Sequence, residues 1–152
     1  MTAEKHSLTR PAGGPGWNIW RGTVGAAYLA AAGFNLLFTL PQGDLSSFAD
    51  NAWHPVLAEF VHQIVSPHHT LIMSLVVVFE AGICILLLGR GRMVDVGTGA
   101  AVVWVILLIP FLQPFPMAAT NIGLALVQGM LLLRRYDRAI WEIALKPSQP
   151  QE

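Results

Sequence analysis

Residues 69–92 read HTLIMSLVVVFEAGICILLLGRGR: an apolar run holding one carboxylate, Glu80, and closed by a Gly-Arg-Gly-Arg turn. In a soluble protein Glu80 would be one surface charge among many. The run, however, is about 20 residues long, the length a helix needs to cross a hydrocarbon core about 30 Å thick. An ionised acid inside that core is costly, and by default it marks function. The solvent of this chain therefore decides both the fold and the meaning of Glu80.

Composition answers for lipid. Of 152 residues, 54% are hydrophobic and only 12% charged, against roughly 25% charged in an ordinary soluble domain. Mean hydropathy is +0.55. Nine basic residues balance nine acidic ones, so no bulk field draws in nucleic acid. The single cysteine, Cys84, rules out an intramolecular disulfide and a CxxC exchange centre. There is no nucleophile with an adjacent base, no phosphate loop and no dinucleotide fingerprint.

Three further stretches have spanning length. The four expected spans are about 19–40, 69–88, 94–112 and 117–134, which predicts an all-α integral membrane four-helix bundle. The first span follows Lys5, Arg10 and Arg21. It is long for a signal-peptide core, and no A-x-A-like site follows it, so it reads as an uncleaved anchor. Residues 113–116, Gln-Pro-Phe-Pro, make a turn too tight for anything but antiparallel neighbours, and Pro110 should kink the end of the third span. Residues 1–18 are expected to be a disordered N-terminus and 136–152 a tail, with a short interfacial helix over 136–145.

The basic residues are Lys5, Arg10, Arg21, Arg90, Arg92, Arg134, Arg135, Arg138 and Lys146. With four spans, all of them fall on one side, which predicts that both termini are cytoplasmic. The loop 41–68 then faces outward. Within it Pro55 can open a helix, and Leu57, Phe60, Val61, Ile64 and Val65 repeat at helical spacing, with Glu59, His62 and Gln63 between them. That pattern predicts an amphipathic helix over about 55–66, lying on the outer bilayer surface or capping the bundle.

At 1.5 Å per residue, Glu80 lies roughly 15 Å below the outer end of its span, near the midplane. Gln128 of the fourth span reaches a similar depth, and Trp104 of the third reaches mid-depth. Asn121 and Asn35 fall in the outer third. Asn121 and Gln128, seven positions apart, share a helix face. Depth alone lets Glu80, Gln128, Asn121 and Asn35 converge inside one bundle as an intramembrane polar or ligand-binding set. Burial there disfavours the charged form of Glu80. Three roles stay open: a neutral clamp bonded to Gln128 or a backbone carbonyl, a group that handles protons or contacts a polar ligand head, and a lipid-facing acid with no role.

Cys84, four residues beyond Glu80, reads as a small buried packing residue. Gly22, Gly25, Ala26, Ala30 and Gly33 give the first span a small-residue face. Gly97, Gly99, Ala100 and Ala101 do so in the third span, and Ala119, Gly123 and Ala125 in the fourth. Such faces allow helices to approach closely. Trp17, Trp20 and Trp53 fit interfacial belts. His54, His62, His68 and His69 gather on the outer side with Asp44, Asp50 and Glu59. Imidazole and carboxylate are metal ligands, and His62, His68 and His69 would meet if the loop helix folded back over the second span. Their spacing matches no metal motif, so no metal is assigned and they read as interfacial histidines.

The stretch Val78-Phe79-Glu80-Ala81-Gly82-Ile83, followed by Leu86-Leu87-Leu88-Gly89-Arg90, resembles the Glu-x-x-Gly-Gly-x-x-Leu-x-x-Gly pattern of the DoxX-like membrane proteins. Gly33-Phe34-Asn35-Leu36-Leu37-Phe38 is similar to that family's Gly-x-x-Lys/His-Leu stretch. Phe48-Ala49, Leu57-Ala58 and Asn121-Ile122-Gly123-Leu124-Ala125 also fit, so the likeness covers most of residues 25–133. Asn35 stands where many members carry a basic residue, which removes the cation that an ion pair with Glu80 would need. The resemblance implies a four-helix protein of the bacterial cytoplasmic membrane. It implies an accessory subunit of a quinone-linked redox system, working beside a soluble oxidoreductase, with Glu80 receiving protons or binding a quinone carbonyl. Readings outside that class are a small proton-coupled transporter, a lipophile-binding protein and a non-catalytic membrane scaffold.

Overall fold

The computed structural model describes residues 10–112 and 115–145. They are mostly helical, with no strand among them. Four helices are long and apolar enough to cross a membrane: α1 (Pro15–Gln42), α4 (His69–Leu88), α5 (Arg92–Phe111) and α6 (Pro116–Leu133). Two helices lie between the first pair, α2 (Ser46–Asp50) and α3 (Pro55–Val65). A short α7 (Ile140–Leu145) follows the last. Lys5, Lys146, Gln113 and Pro114 lie outside the described residues, as do the stretches 1–9 and 146–152 of the expected disordered ends.

Local chemistry sets the helix ends. Pro15 opens α1, where its missing N–H costs nothing. Gly43 ends the helix at φ +71, a backbone angle that suits glycine. At 28 residues, α1 is about 42 Å long, longer than a hydrocarbon core is thick. Its residues 35–39 form a π-helical segment. Pro55 opens α3, and the His54 ring accepts a hydrogen bond from the Val56 N–H. The second half of α3, Val61–Val65, is also π-helical. In α5, Pro110 tightens residues Ile109–Phe111 into a 3-10 turn.

The long helices pack in chain order: α1 along α4, α4 against α5, and α5 against α6. Val24 and Tyr28 of α1, Ile83, Cys84 and Leu87 of α4, Val94 and Ala101 of α5, and Leu131 of α6 build the core. Leu71, Leu75 and Val78 form the opposite stripe of α4 and are 61%, 60% and 70% exposed. A stripe that apolar belongs in lipid rather than water. The protein thus has the form of a multi-pass membrane bundle.

Two sequence expectations are corrected at the basic end. Residues 10–18 are ordered, not disordered. The Arg135 N–H donates to the Pro11 carbonyl at 3.0 Å, and the Gly13 N–H donates to the Arg135 carbonyl at 2.8 Å. The Arg10 guanidinium grips both carboxylate oxygens of Asp95, at 2.9 and 2.8 Å. The expected helix over 136–145 shortens to Ile140–Leu145. Arg134 leaves α6 in an extended conformation, and the residues after it are used for other bonds. Arg135 pairs with residues 11–13, and the Tyr136 carbonyl accepts from the Gly91 N–H at 2.6 Å.

Candidate functional site

Glu80 lies on the inward face of α4, seven positions from both Met73 and Leu87, and all three are buried. Only 5% of Glu80 is exposed. Its partner comes from α1. The Asn35 side-chain amide donates to Glu80 Oε2 at 2.8 Å, and Asn35 Oδ1 accepts from the Thr39 hydroxyl at 3.0 Å. Asn35 and Thr39 are the first and last residues of the π-helical segment. Single π turns inside helices are frequent at functional sites. The indole of Trp104, from α5, also stands beside the carboxyl, and it packs edge-on against Phe79 at 5.4 Å between ring centroids.

Gln128 is also buried but does not bond Glu80. Its Oε1 accepts from the Tyr28 hydroxyl at 3.3 Å, and that hydroxyl also reaches the Ala101 carbonyl at 3.1 Å. This contact closes the bundle by linking α1 to α5 and α6. Asn121 remains half-buried and has no side-chain hydrogen bond among the described residues. Of the four expected polar residues, then, Asn35 and Glu80 meet, Gln128 joins a separate pair, and Asn121 stands apart. Tyr28→Phe should cost roughly 0.6–1.7 kcal/mol, from the average to the largest value measured for interhelical bonds in a membrane protein. Thermal denaturation of the detergent-purified protein checks this, and an unchanged midpoint would show that the bond is idle.

A route of polar groups runs from Glu80 to the end of the bundle that carries α2 and α3. Above Thr39, the His69 Nε2–H donates to the Leu40 carbonyl at 2.9 Å. His62, His69 and Asp44 lie close enough to interact electrostatically. Bonds from the Ser46 N–H and hydroxyl hold the Asp44 carboxyl below its ordinary pKa. The His68 Nδ1–H is spent on the Ile64 carbonyl at 3.0 Å. Among the described residues, no three His, Cys, Asp or Glu side chains gather as metal ligands. Cys84 sits in the core, 3% exposed.

A second polar centre, which the sequence reading missed, lies at the basic end. Arg21 is fully buried. It donates to the Gly89 carbonyl at 3.0 Å and the Arg138 carbonyl at 3.1 Å, and its guanidinium lies 4.6 Å over the Tyr136 ring. Gly89 caps the C-terminus of α4, where the helix dipole favours a cation. Burial pushes the Tyr136 phenol above its ordinary pKa, against the pull of Arg21 and Arg134. The signal was available, because Arg21, Tyr28 and Asn35 stand seven residues apart and so share one face of α1.

Comparison with family models, with characterised proteins and with solved structures finds no match. The likeness to DoxX-like proteins therefore rests on the motif residues of this chain alone.

Proposed function

We propose that this chain is a DoxX-like membrane subunit of a quinone-linked redox system, and that it holds the polar head of a quinone-class lipophile at Glu80. The observation that carries the reading is the Asn35–Glu80 bond, made where α1 turns π-helical, deep in the bundle. The residues present suit such a head. The Asn35 amide bonds Glu80 Oε2 and the Trp104 indole stands beside the same carboxyl, so the acid is held in place to meet a carbonyl as a neutral acid or a hydroxyl as a carboxylate. Phe34, Phe38 and Phe79, next in sequence or one turn away, are exposed on the lipid side, where they would flank a flat ring.

A bound quinone would supply two-electron chemistry that no side chain here provides, and a soluble oxidoreductase would pass it electrons. The protein's part is to orient the head and hold a proton at Glu80. The Thr39–Asn35 bond fixes the amide that points at the acid. In this reading both termini are cytoplasmic, and α3 lies on the outer membrane surface, over the mouth of the polar route.

A second reading is favoured by the same bond, since Asn35–Glu80 also ties α1 to α4. It makes the pair a structural clamp in a non-catalytic scaffold. Glu80→Gln separates the two, because it keeps shape and bonding but removes titration. Mass spectrometry of small molecules bound to purified wild type should find near-stoichiometric quinone, and Glu80→Gln should lose most of it. No quinone in either sample, with stability unchanged in the variant, would leave the clamp.

A further inference from the structure

We propose that the groove between the start of α1 and α7 binds the head group of an anionic phospholipid. The groove measures about 570 Å³, within the range of pockets that hold small ligands. Its walls are apolar, formed by Ile19 and Gly22 of α1 and Ile140 and Ile143 of α7, while Arg135 and Arg138 stand among its lining residues. Ile19 is 71% exposed, so the lipid-facing surface of α1 begins at the groove itself. Apolar walls beside exposed arginines mark the level where acyl chains give way to head groups.

Charge selects the sign of the ligand. The contacts of Arg10, Arg21, Arg90 and Arg135 gather the described basic residues at one end of the bundle. There, among the described residues, arginines 10, 21, 90, 92, 134, 135 and 138 stand with Asp95, Asp137 and Glu142, seven cations against three anions. Asp137 pairs with Arg135 at 3.0 Å, whereas the Arg138 side chain makes no ion pair among the described residues. The hydroxyl of Tyr136, another lining residue, is buried and has no hydrogen-bond partner among them. Basic pockets between membrane helices recognise anionic head groups in this manner. Below the groove, the outward positions Ala26 and Ala30 are small and exposed, leaving a shallow track for an acyl chain.

The test uses the full chain, purified in mild detergent and offered phosphatidylglycerol or phosphatidylcholine, with retained lipid counted by native mass spectrometry. One phosphatidylglycerol per chain should be retained, in clear preference to phosphatidylcholine. Arg138→Gln should weaken retention roughly fivefold, the contribution of one basic residue near an anionic surface. Gly22→Leu, which fills the groove and leaves every arginine in place, should do the same with helix content unchanged by circular dichroism. Equal retention of the two lipids would overturn the proposal. So would loss in the charge variant with none in Gly22→Leu, which is plain charge attraction. Competition by inorganic phosphate as strong as that by lipid would overturn it too. Retention that appears only after residues 146–152 are deleted would instead assign the groove to the chain's own end.

Discussion

Replacing Arg21 with alanine should lower the thermal midpoint of the detergent-solubilised protein by roughly 6–12 °C. That follows from a loss of about 3 kcal/mol at 2–4 °C per kcal/mol for a chain of this size. The guanidinium joins three segments, α1, the end of α4 and the stretch before α7, through the Gly89 and Arg138 carbonyls. Hydrogen bonds from a charged donor contribute about 1.5–3 kcal/mol each, and a buried carbonyl left bare costs more than the bond was worth. The Tyr136 ring adds a cation–π contact. No carboxylate pairs with Arg21 among the described residues; carbonyls, the negative end of α4 and an aromatic face share its charge instead. Lysine should recover less than half of the loss, since an ammonium cannot reach two carbonyls as a rigid fork does. Thermal unfolding followed by tryptophan fluorescence reads both variants. A shift under about 2 °C for Arg21→Ala would mean that these bonds are replaced by water.

Arg21 also shows what the sequence could and could not reveal. Four apolar stretches and a paucity of charge suffice for four helices of spanning length, because lipid imposes length and hydropathy directly. Depth along a helix is legible only coarsely, for Glu80 and Gln128 bond α1 residues seven positions apart, Asn35 and Tyr28. Azimuth is not legible. Gln128 turns to Tyr28 rather than to Glu80 because the rotation of α6 about its axis is set by packing against α5. Arg21 was counted with the basic flank of the first span, as charge statistics suggest, yet it is buried. The seven-residue steps from Arg21 to Tyr28 and on to Asn35 are the clue that charge statistics pass over. The end of the chain misled for another reason. Residues 136–139 carry a helical pattern, but their backbone is claimed by residues far away in sequence, Gly91 and, through Arg135, Pro11 and Gly13.

Small residues pose the same problem, and Gly97→Ala tests it. A Cβ at Gly97 would lie 2.8 Å from Leu86 Cβ, 3.0 Å from the Leu87 nitrogen and 3.2 Å from the Leu86 carbonyl carbon. Two of those atoms are backbone and cannot rotate away, so α4 and α5 must separate. Separation would open the core where Leu87, Val94 and Ala101 meet. Overpacking of this kind costs typically 1–3 kcal/mol, and Gly97→Leu should abolish a monodisperse fold. Gly99, two positions along the same helix, has nothing within 4 Å of its would-be Cβ, and the same holds for Gly82 and Gly33. At those sites alanine should stabilise, by up to about 1 kcal/mol from helix propensity. One substitution thus carries opposite signs at two glycines of one small-residue cluster, because two positions along a helix turn the side chain by about 200°. Midpoints for Gly97→Ala and Gly99→Ala, measured side by side, decide the matter. If both rise, the tight seam between α4 and α5 is wrong, and close approach must lie on another pair of helices.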